Sequence, residues 1–303
     1  MITLRQMEYL VTVVEQGSFT RAAELLHVTQ PALSHQMRVL ERAVGAPLLE
    51  RLPRSVRLTP TGRALLPHAR AALADARRSL CAARQAAGLE AGELEVATLY
   101  SVSLGVLPSA LRAWRQAHPD VHIRLFEHRH VDELLAAMRE GQADVAVGPP
   151  PPDWDGPVRA LGVEEFVVVL PTDDPVGADG GGRVDLGVLA EREWVHYAPG
   201  HGLADLVERV CAAAGFQPRA SVRTEQTASA PLLAAAGLGP ALVPANVLPP
   251  GFDGLVLRPD PPVRRPLTAY SRRGGDPLTT AFVDVLAREA TVLPAHLRDA
   301  LQP

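Results

Sequence analysis

Apolar residues near the amino terminus recur every three or four positions. Met7, Leu10, Val11 and Val14 share one side of a helical projection, with polar residues between them. The spacing predicts an amphipathic helix that Gly17 ends.

The stretch from Ser18 to Glu41 predicts two further helices with a sharp turn at residues 27–29. Ser18 and Thr29 are suited to cap them, because a hydroxyl oxygen can accept a backbone N–H that the first turn leaves free. Pro31 fits the first turn of the second helix, where its missing N–H is not needed.

The second of these helices has one apolar and one polar face. Leu33, Met37 and Leu40 are spaced by four and three residues and are predicted to be buried together. The opposite face is predicted to be exposed, and its residue types read base edges in a DNA major groove: Gln30, Ser34, His35 and Arg38. The pattern predicts a helix-turn-helix whose second helix is the recognition helix, although an ordinary helical hairpin has the same spacing.

A short β-hairpin is predicted next, over residues 48–52 and 55–59. Three arginines crowd it, namely Arg51, Arg54 and Arg57. Arginine suits phosphate groups and a narrow minor groove, so the hairpin is interpreted as a wing beside the recognition helix. A solvated basic hairpin is the alternative.

A long helix is predicted from Pro60 to about residue 87, with Thr59 as its cap. Leucine and alanine alternate along it at steps of three and four residues, at Leu66, Ala69, Leu73, Ala76, Leu80, Ala83 and Ala87. Such a heptad seam predicts a two-helix coiled coil, with Leu66, Leu73 and Leu80 as dimerisation residues. A single helix lying on its own domain is the alternative.

Strand and helix patterns alternate beyond a hinge at residues 87–92. Strands are predicted at 94–97, 121–126, 144–147, 165–171, 221–225, 241–244 and 266–271. Helices are predicted at 103–117, 131–140, 203–214, 232–236 and 278–289, and residues 173–184 as a surface loop. The alternation predicts a parallel α/β sheet.

Charge is unevenly distributed along the 303 residues. Residues 1–87 contain 12 Arg and 6 acidic residues, whereas residues 88–303 contain 18 Arg and 28 acidic residues. A basic amino-terminal segment followed by an acidic segment is typical of a polyanion-binding module joined to a module with another role. Cys81 and Cys211 give no disulfide framework, and neither a signal peptide nor a membrane-spanning apolar run is evident, so a cytoplasmic setting is expected.

Two stretches carry a family resemblance, LRQMEYLVTVVEQGSFTRAAELLHVTQPALSHQMRVLERAVGAPLLER and LTPTG at residues 58–62. They closely resemble the DNA-binding domain of LysR-type transcriptional regulators, and a weaker resemblance covers nearly all of the remaining chain. The resemblance implies a ligand-responsive bacterial regulator with an N-terminal all-α winged helix-turn-helix, a long linker helix and a C-terminal α/β bilobed domain similar to periplasmic binding proteins.

The expected domains are residues 1–59 for DNA binding, 60–91 for the linker helix and hinge, and 92–303 for effector binding. The last is expected to form two α/β subdomains, about 92–164 with 269–303 and about 165–268.

The resemblance also implies partners. Promoter DNA with an interrupted dyad is expected to contact Ser18, Thr29, Gln30, Pro31, Ser34, His35, Arg38, Arg51, Arg54 and Arg57. A homodimer assembling to a homotetramer, associated with the nucleoid in the cytoplasm, is expected. RNA polymerase is left open as a further partner, and no membrane is expected.

In a bilobed fold of this kind a small-molecule effector lies between the lobes, near strand carboxyl ends and helix amino ends. The residues at those places are Thr98, Ser101, Ser103, His128, Gly148, Tyr197, His201, Gln226 and Thr227. Hydroxyls and free N–H groups there suit an anion or a carboxylate. Loop capping would account equally for any one of these residues.

No catalytic or cofactor motif is evident, whether GxSxG, P-loop, HExxH or a GxGxxG after a strand. Four histidines could approach one another, His128, His130, His196 and His201, but no carboxylate or cysteine spacing supports a metal site. No enzyme activity, metal or cofactor is therefore expected. The alternative is a solute-binding protein or an enzyme with an incidental helix-turn-helix.

Overall fold

The computed structural model describes residues 2–52, 55–86, 92–178, 181–272 and 277–301. Its contacts divide the chain into two compact units. The amino-terminal unit comprises Met1–Gly92 with Ala136–Ala143, and the carboxy-terminal unit comprises Glu93–Leu135 with Asp144–Pro303.

Three helices open the amino-terminal unit: α1 Leu4–Gln16, α2 Phe19–Leu25 and α3 Gln30–Val44. Ser18 and Thr29 cap α2 and α3 as predicted, each accepting a backbone N–H of the first turn. Gly17 ends α1 at a φ of 59°, a left-handed conformation that favours glycine. The predicted order of helices and turn is confirmed.

The core of this unit lies between α1, α3 and the start of the next helix. Leu33, Met37 and Leu40 are buried as predicted. On α1 the deepest residues are Leu10 and Val13, whereas the predicted Met7, Val11 and Val14 are only half buried. Because α1 contacts α2, α3 and the following long helix, its buried face is wider and turned relative to the predicted stripe.

The predicted hairpin is present as two antiparallel strands, β1 Leu49–Leu52 and β2 Ser55–Leu58, with Leu49 opposite Leu58. The predicted turn at Pro53-Arg54 lies outside the described residues. Helix α4 then runs over Pro60–Ala86. The Thr59 hydroxyl caps it by accepting the Gly62 N–H at 3.0 Å, as predicted.

The main sheet of the carboxy-terminal unit is mixed rather than parallel. It contains β3 Gly92–Leu99, β4 Val121–His128, β5 Val145–Gly148, β6 Val158–Leu170, β7 Arg183–Asp185, β10 Ala241–Pro244, β11 Leu255–Asp260 and β12 Arg264–Ser271. The order is β4-β3-β5-β12-β6-β11-β7, with β10 also on β6. Strands β3 and β5 are parallel, but β12 is antiparallel to both β5 and β6, so the predicted all-parallel sheet is wrong.

Seven helices follow α4 within the described residues: α5 Tyr100–Gly105, α6 Leu107–Ala117, α7 Val131–Arg139, α8 Gly202–Ala213, α9 Ser229–Ala235, α10 Pro277–Glu289 and α11 Ala295–Leu301. Helix α7 begins in the carboxy-terminal unit and ends in the amino-terminal unit. The single helix predicted over 103–117 is two helices. Pro108 lies in the first turn of α6, and since it has no backbone N–H it cannot continue the hydrogen-bond ladder from α5.

Strands β6 and β12 connect two parts of the unit, named here the first lobe (β3–β5, α5–α7, α10) and the second lobe (β7–β11, α8, α9). The partner of β6 changes along its length. Glu165 is the last residue that pairs with β12, and Phe166 pairs with β10. The proposed subdomain boundaries at 164/165 and 268/269 stay a prediction.

Several elements of the second lobe were not predicted. A separate parallel pair is formed by β8 Glu193–Tyr197 and β9 Arg219–Thr224, and of this pair only β9 was expected. The predicted loop at 173–184 contains a 3₁₀ turn, Pro175–Gly177, and the start of β7. Leu297 of α11 packs into the core of the second lobe, although residues 269–303 were predicted to belong to the first subdomain.

Candidate DNA-binding face and effector cleft

The exposed face of α3 begins at its first residue. Gln30, Pro31, His35 and Arg38 are all exposed, on the side opposite the buried leucines and methionine. The Gln30 amide donates to the Ser34 hydroxyl at 3.0 Å. The face therefore presents an amide, an imidazole and a guanidinium along two turns of one helix.

Ser34 differs from the prediction, because only 7% of it is exposed. Its hydroxyl accepts from Gln30, and its carbonyl accepts from the Arg38 side chain at 3.4 Å. The two longer side chains thus cover Ser34, so in the free protein it orders this face rather than projecting from it.

Arg42 extends the basic face by one turn and was not among the predicted residues. It lines an open groove with His35, Arg38, Glu41 and residues 45–47. The Glu41 carboxylate is already used, since it accepts the backbone N–H of Leu48 at 2.9 Å. The groove therefore keeps two arginines with no ion-pair partner among the described residues.

The remaining predicted DNA contacts have mixed positions. Ser18 and Thr29 use their hydroxyl oxygens as helix caps. In the hairpin Arg57 is exposed, and Arg51 pairs with Val56 through the backbone. Arg54 lies outside the described residues.

The predicted dimerisation residues of α4 differ in exposure. Leu66 is 7% exposed and belongs to the core of the amino-terminal unit, which leaves it little surface for a second chain, and its place in a seam stays a prediction. Leu73 is half buried, and Leu80 is 54% exposed. Ala87 lies outside the described residues.

Two predicted effector residues are part of the sheet instead. Thr98 is fully buried and its hydroxyl donates to the carbonyl oxygen of Val147 at 3.1 Å, which ties β3 to β5. Gly148 is buried at the end of β5, where an added Cβ would lie 2.7 Å from Leu134. Both positions support the sheet in this structure, and contact of either with an effector stays a prediction.

Ser101 lies in the first turn of α5 and is 3% exposed. Its hydroxyl oxygen accepts a hydrogen bond from the Arg265 guanidinium at 3.3 Å. The neighbouring Ser103 hydroxyl has two acceptors for its one proton, the carbonyl oxygen of Tyr100 at 3.0 Å and the Glu127 carboxylate. Ser101 is therefore the serine of this turn that faces the junction of the lobes.

A buried ion pair lies behind Ser101. Glu164 of β6 has no exposed surface, and one of its carboxylate oxygens binds Arg265 of β12 at 2.6 Å. The other oxygen accepts the Asn246 amide of the second lobe at 2.7 Å. The network neutralises the guanidinium and joins both crossing strands to the second lobe.

Three predicted residues of the second lobe lie together. The rings of Tyr197 and His201 stack with centroids 4.9 Å apart, and Thr227 lies 3.4 Å from the His201 ring nitrogen Nε2. Burial lowers the pKa of His201, and the charges of Arg129, His130 and Arg265 lower it further. Burial likewise raises the pKa of Tyr197. Both shifts favour the uncharged form of the side chain.

The lobes touch around this group. The Tyr100 ring, next to Ser101, has its centroid 6.4 Å from that of His201. The backbone N–H of Gly202 donates to the carbonyl oxygen of Arg129 at 2.9 Å, and the His130 ring lies 3.2 Å from the Asp205 carboxylate. The candidate cleft is therefore closed in this conformation.

The other two predicted residues are less central. His128 is half buried and burial lowers its pKa, with its Nε2 atom unpartnered among the described residues. Gln226 is exposed, and its backbone N–H donates to the Thr224 hydroxyl at 3.1 Å.

Sequence reasoning missed Glu164, Arg265, Asn246 and Tyr100. Their sequence positions carry no spacing pattern, because they come from two crossing strands, a 3₁₀ turn and a helix start. Glu164 and Arg265 each lie one residue before a predicted strand, so the prediction placed neither of them inside the sheet, where burial would have required a partner for each charge.

Two further findings concern metal or thiol sites and membrane-spanning helices. Within the described ranges no three His, Cys, Asp or Glu side chains form a group that could hold a metal ion, and burial raises the pKa of the Cys211 thiol to about 12. Among the helices that the structure describes, none combines the length and apolarity needed to cross a membrane.

Comparison with known families covers both units. Residues 4–63 match the family described as "Bacterial regulatory helix-turn-helix protein, lysR family", and residues 87–291 match the "LysR substrate binding domain".

Individual relatives agree with these matches. The HTH-type transcriptional regulator IlvR of Caulobacter vibrioides is 35% identical, over 80% of this chain and 83% of the relative. The HTH-type transcriptional regulator ShiR of Corynebacterium glutamicum is 31% identical, over 93% of this chain and 97% of the relative.

Solved structures agree as well. A full-length OxyR variant from Pseudomonas aeruginosa has a TM-score of 0.74 at 25% identity, covering 97% of both chains. CbnR bound to its target DNA has a TM-score of 0.66 at 29% identity, covering 95% of this chain and 99% of that one. The helix-turn-helix, the bilobed α/β unit and these likenesses favour a regulator over a solute-binding protein or an enzyme, and the chain belongs to the LysR family of ligand-responsive, DNA-binding transcriptional regulators.

Proposed function

We propose that α3 enters the major groove of promoter DNA and reads base edges with Gln30, His35 and Arg38. The observation that carries this proposal is their common exposed face on a helix whose other side is fixed in a core. Amide and guanidinium groups make bidentate contacts to adenine and guanine, which gives base preference.

Backbone contacts would come from the arginines around α3. Arg57 of the hairpin is exposed, and Arg42 is exposed in the groove on the same helix as the reading face. Arginine at such positions binds phosphate and adds affinity without base preference. Arg51 and Arg54 remain predicted contacts of the same kind.

The experiment is a gel shift with upstream DNA, its palindromic half-sites varied one base at a time. Gln30→Ala or Arg38→Ala should weaken binding by about 1–3 kcal/mol and relax the preference at one position. Arg42→Ala should weaken binding to all sequences alike and reduce the salt dependence. Arg209→Ala, which removes an exposed arginine from the other unit, is the matched control. Unchanged base selectivity in Gln30→Ala would contradict the proposed orientation.

We propose further that a small anionic effector binds where the lobes meet, among Ser101, Tyr197, His201 and Thr227. Arg129, whose charge acts on His201, has no ion-pair partner among the described residues, whereas Arg265 is paired with Glu164. The unpaired positive charge of Arg129 favours an anion. A thermal-shift screen of small carboxylates on the full chain tests this, with Ser101→Val as the variant expected to lose the response while keeping DNA binding.

We also propose that the chain acts without enzymatic activity, inside the cytoplasm, as an oligomer paired through Leu73 and Leu80. Leu80 is exposed along α4, and DNA readers of this type pair across two half-sites. The proposed division into residues 1–59, 60–91 and 92–303 fits this arrangement of DNA head, linker and sensor.

A further inference from the structure

We propose that the chain after α10 forms a strap that ties the two lobes together and holds the junction between them closed. The strap comprises residues 289–297, from the end of α10 to the buried side of α11. It connects the lobes in addition to the crossing strands β6 and β12. The inference goes beyond the proposed function, because it requires neither DNA nor an effector.

One end of the strap is fixed to the first lobe. The Ser109 hydroxyl of α6 donates to the carbonyl oxygen of Glu289 at 2.5 Å and accepts from the Thr291 hydroxyl at 3.1 Å. A serine hydroxyl has one proton to donate and lone pairs that accept, so both hydrogen bonds form at once. Helix α10 is itself held on α6, because the rings of Phe282 and Trp114 pack edge to face with centroids 5.1 Å apart.

The middle of the strap passes the crossing strand β6 shortly before the pairing partner of that strand changes. Val292 is 8% exposed, and a Cβ added to Gly162 of β6 would lie 3.3 Å from its side chain. Glu165, the last residue of β6 that pairs with β12, follows Gly162 closely in the same strand. Strap and crossing strand therefore pass from the first lobe to the second side by side.

The other end of the strap is buried in the second lobe. Leu297 of α11 is 8% exposed and belongs to the same hydrophobic core as Phe166 and Trp194. Leu293 is partly buried and packs against this core. The residues on either side of Leu297 in α11 are exposed. Burial of one leucine therefore anchors this end.

Separation of the lobes has to release one end of the strap. Only residues 293–296 lie between the two anchors, so the chain has little slack. Moving the lobes apart would expose Leu297 to water or break the hydrogen bonds of Ser109, and either loss is unfavourable. The strap thereby stabilises the closed arrangement, in which the Gly202 N–H donates to the Arg129 carbonyl oxygen.

Hydrogen exchange of the full chain measures how often that bond opens. The Gly202 amide exchanges when the lobes separate, so its exchange rate follows the population of the open arrangement. In Leu297→Ala the rate should rise by about tenfold, because the anchor loses most of its buried apolar surface. Arg298→Ala removes an exposed side chain from the same helix and is the matched control, which should exchange as the wild type does.

A second variant releases the opposite end of the strap. Ser109→Ala leaves the core of the second lobe intact and should speed Gly202 exchange by about fivefold, through the loss of its hydrogen bonds. Once Leu297→Ala has released one end, adding Ser109→Ala should produce little further increase. The amides of β3 and β5 should keep their wild-type rates in each variant, which separates lobe opening from general unfolding.

Spin-label distances provide an independent measurement. Labels at Asp132→Cys of α7 and Glu208→Cys of α8, both at exposed positions, report the distance across the junction of the lobes. The labelled chain also carries Cys81→Ser and is diluted with unlabelled chain, so that distances between chains do not contribute. The wild-type strap should give one short distance, and Leu297→Ala should add a population at longer distance.

Unchanged Gly202 exchange and an unchanged spin-label distance in Leu297→Ala would overturn the inference. Equal acceleration in Arg298→Ala, or independent and multiplying effects of Leu297→Ala and Ser109→Ala, would overturn it as well. Should Leu297→Ala fail to fold, unchanged Gly202 exchange in Ser109→Ala alone would be sufficient to reject the strap.

Discussion

The two units place their polar groups in opposite ways. On α3 the polar side chains are exposed and interact within one helix, as Gln30 does with Ser34. At the junction of the lobes they are buried and their partners are distant in the chain, as Arg265 is from Ser101. The first arrangement can change without disturbing the core, whereas in the second each residue both stabilises the fold and shapes the site.

The largest effect is expected from removing one partner of the buried ion pair between Glu164 and Arg265, which tests whether the buried polar groups stabilise the fold. Glu164→Gln leaves the Arg265 charge uncompensated in a site with little water, so the free energy of unfolding should fall by about 3–5 kcal/mol. Chemical denaturation measures the loss. Adding Arg265→Met to the same chain should restore part of the stability, and a double variant as unstable as the single one would contradict the pairing.

A second comparison lies within α4, between a buried and an exposed leucine. Leu66→Ala should reduce the free energy of unfolding by about 2–4 kcal/mol, because Leu66 fills the core of the amino-terminal unit. Leu80→Asp should leave the unfolding of that unit nearly unchanged but split the oligomer, since a charge would enter the seam. Sedimentation velocity and thermal unfolding separate the two effects. An unchanged oligomer in Leu80→Asp would reject the seam.

The smallest expected effect is the pH dependence of the cleft. Burial lowers the pKa of both His128 and His201, so the unfolded chain takes up protons at a higher pH than the folded chain. Their contribution to stability is complete above the unfolded value of about 6.5 and is lost as the pH falls below it, by at most about 1.4 kcal/mol per pH unit for each histidine.

Thermal unfolding between pH 7.5 and 5.5 measures how steeply the stability falls with pH. The variant His201→Asn should show a weaker dependence of stability on pH. The same slope in the variant and the wild type would show that His201 is not the titrating group. His27, exposed in the turn before α3, provides the matched control as His27→Asn.

The sequence predicted the amino-terminal unit more completely than the cleft. The caps of α2 and α3, the turn between these helices and the buried stripe of α3 all depend on residues close together in the sequence. Spacing alone was therefore enough to place Ser18, Thr29 and Leu33. Spacing could not show that Gln30 and Arg38 cover Ser34, because it does not resolve how side chains fold over a neighbour.

In the carboxy-terminal unit the prediction named several residues of the lobe junction but not their hydrogen-bond and ion-pair partners. Ser101, His201 and Thr227 lie at helix starts and loop ends, where the fold places ligands. Glu164 and Arg265 meet because β6 pairs with β12, and Asn246 reaches Glu164 because β10, which precedes it, also pairs with β6. Thr98 lies inside the sheet because β3 pairs with β5. The local sequence of β12 does not show that this strand runs antiparallel to its neighbours.

One contact between the lobes needs no side chain at all. The hydrogen bond from the Gly202 N–H to the Arg129 carbonyl oxygen joins main chain to main chain. A backbone donor and acceptor do not depend on side-chain chemistry, although an added Cβ at Gly202 would lie only 3.2 Å from the Arg129 carbonyl oxygen. Substitutions at Ser101 or Tyr197, two of the proposed effector positions, would therefore leave this donor and this acceptor in place.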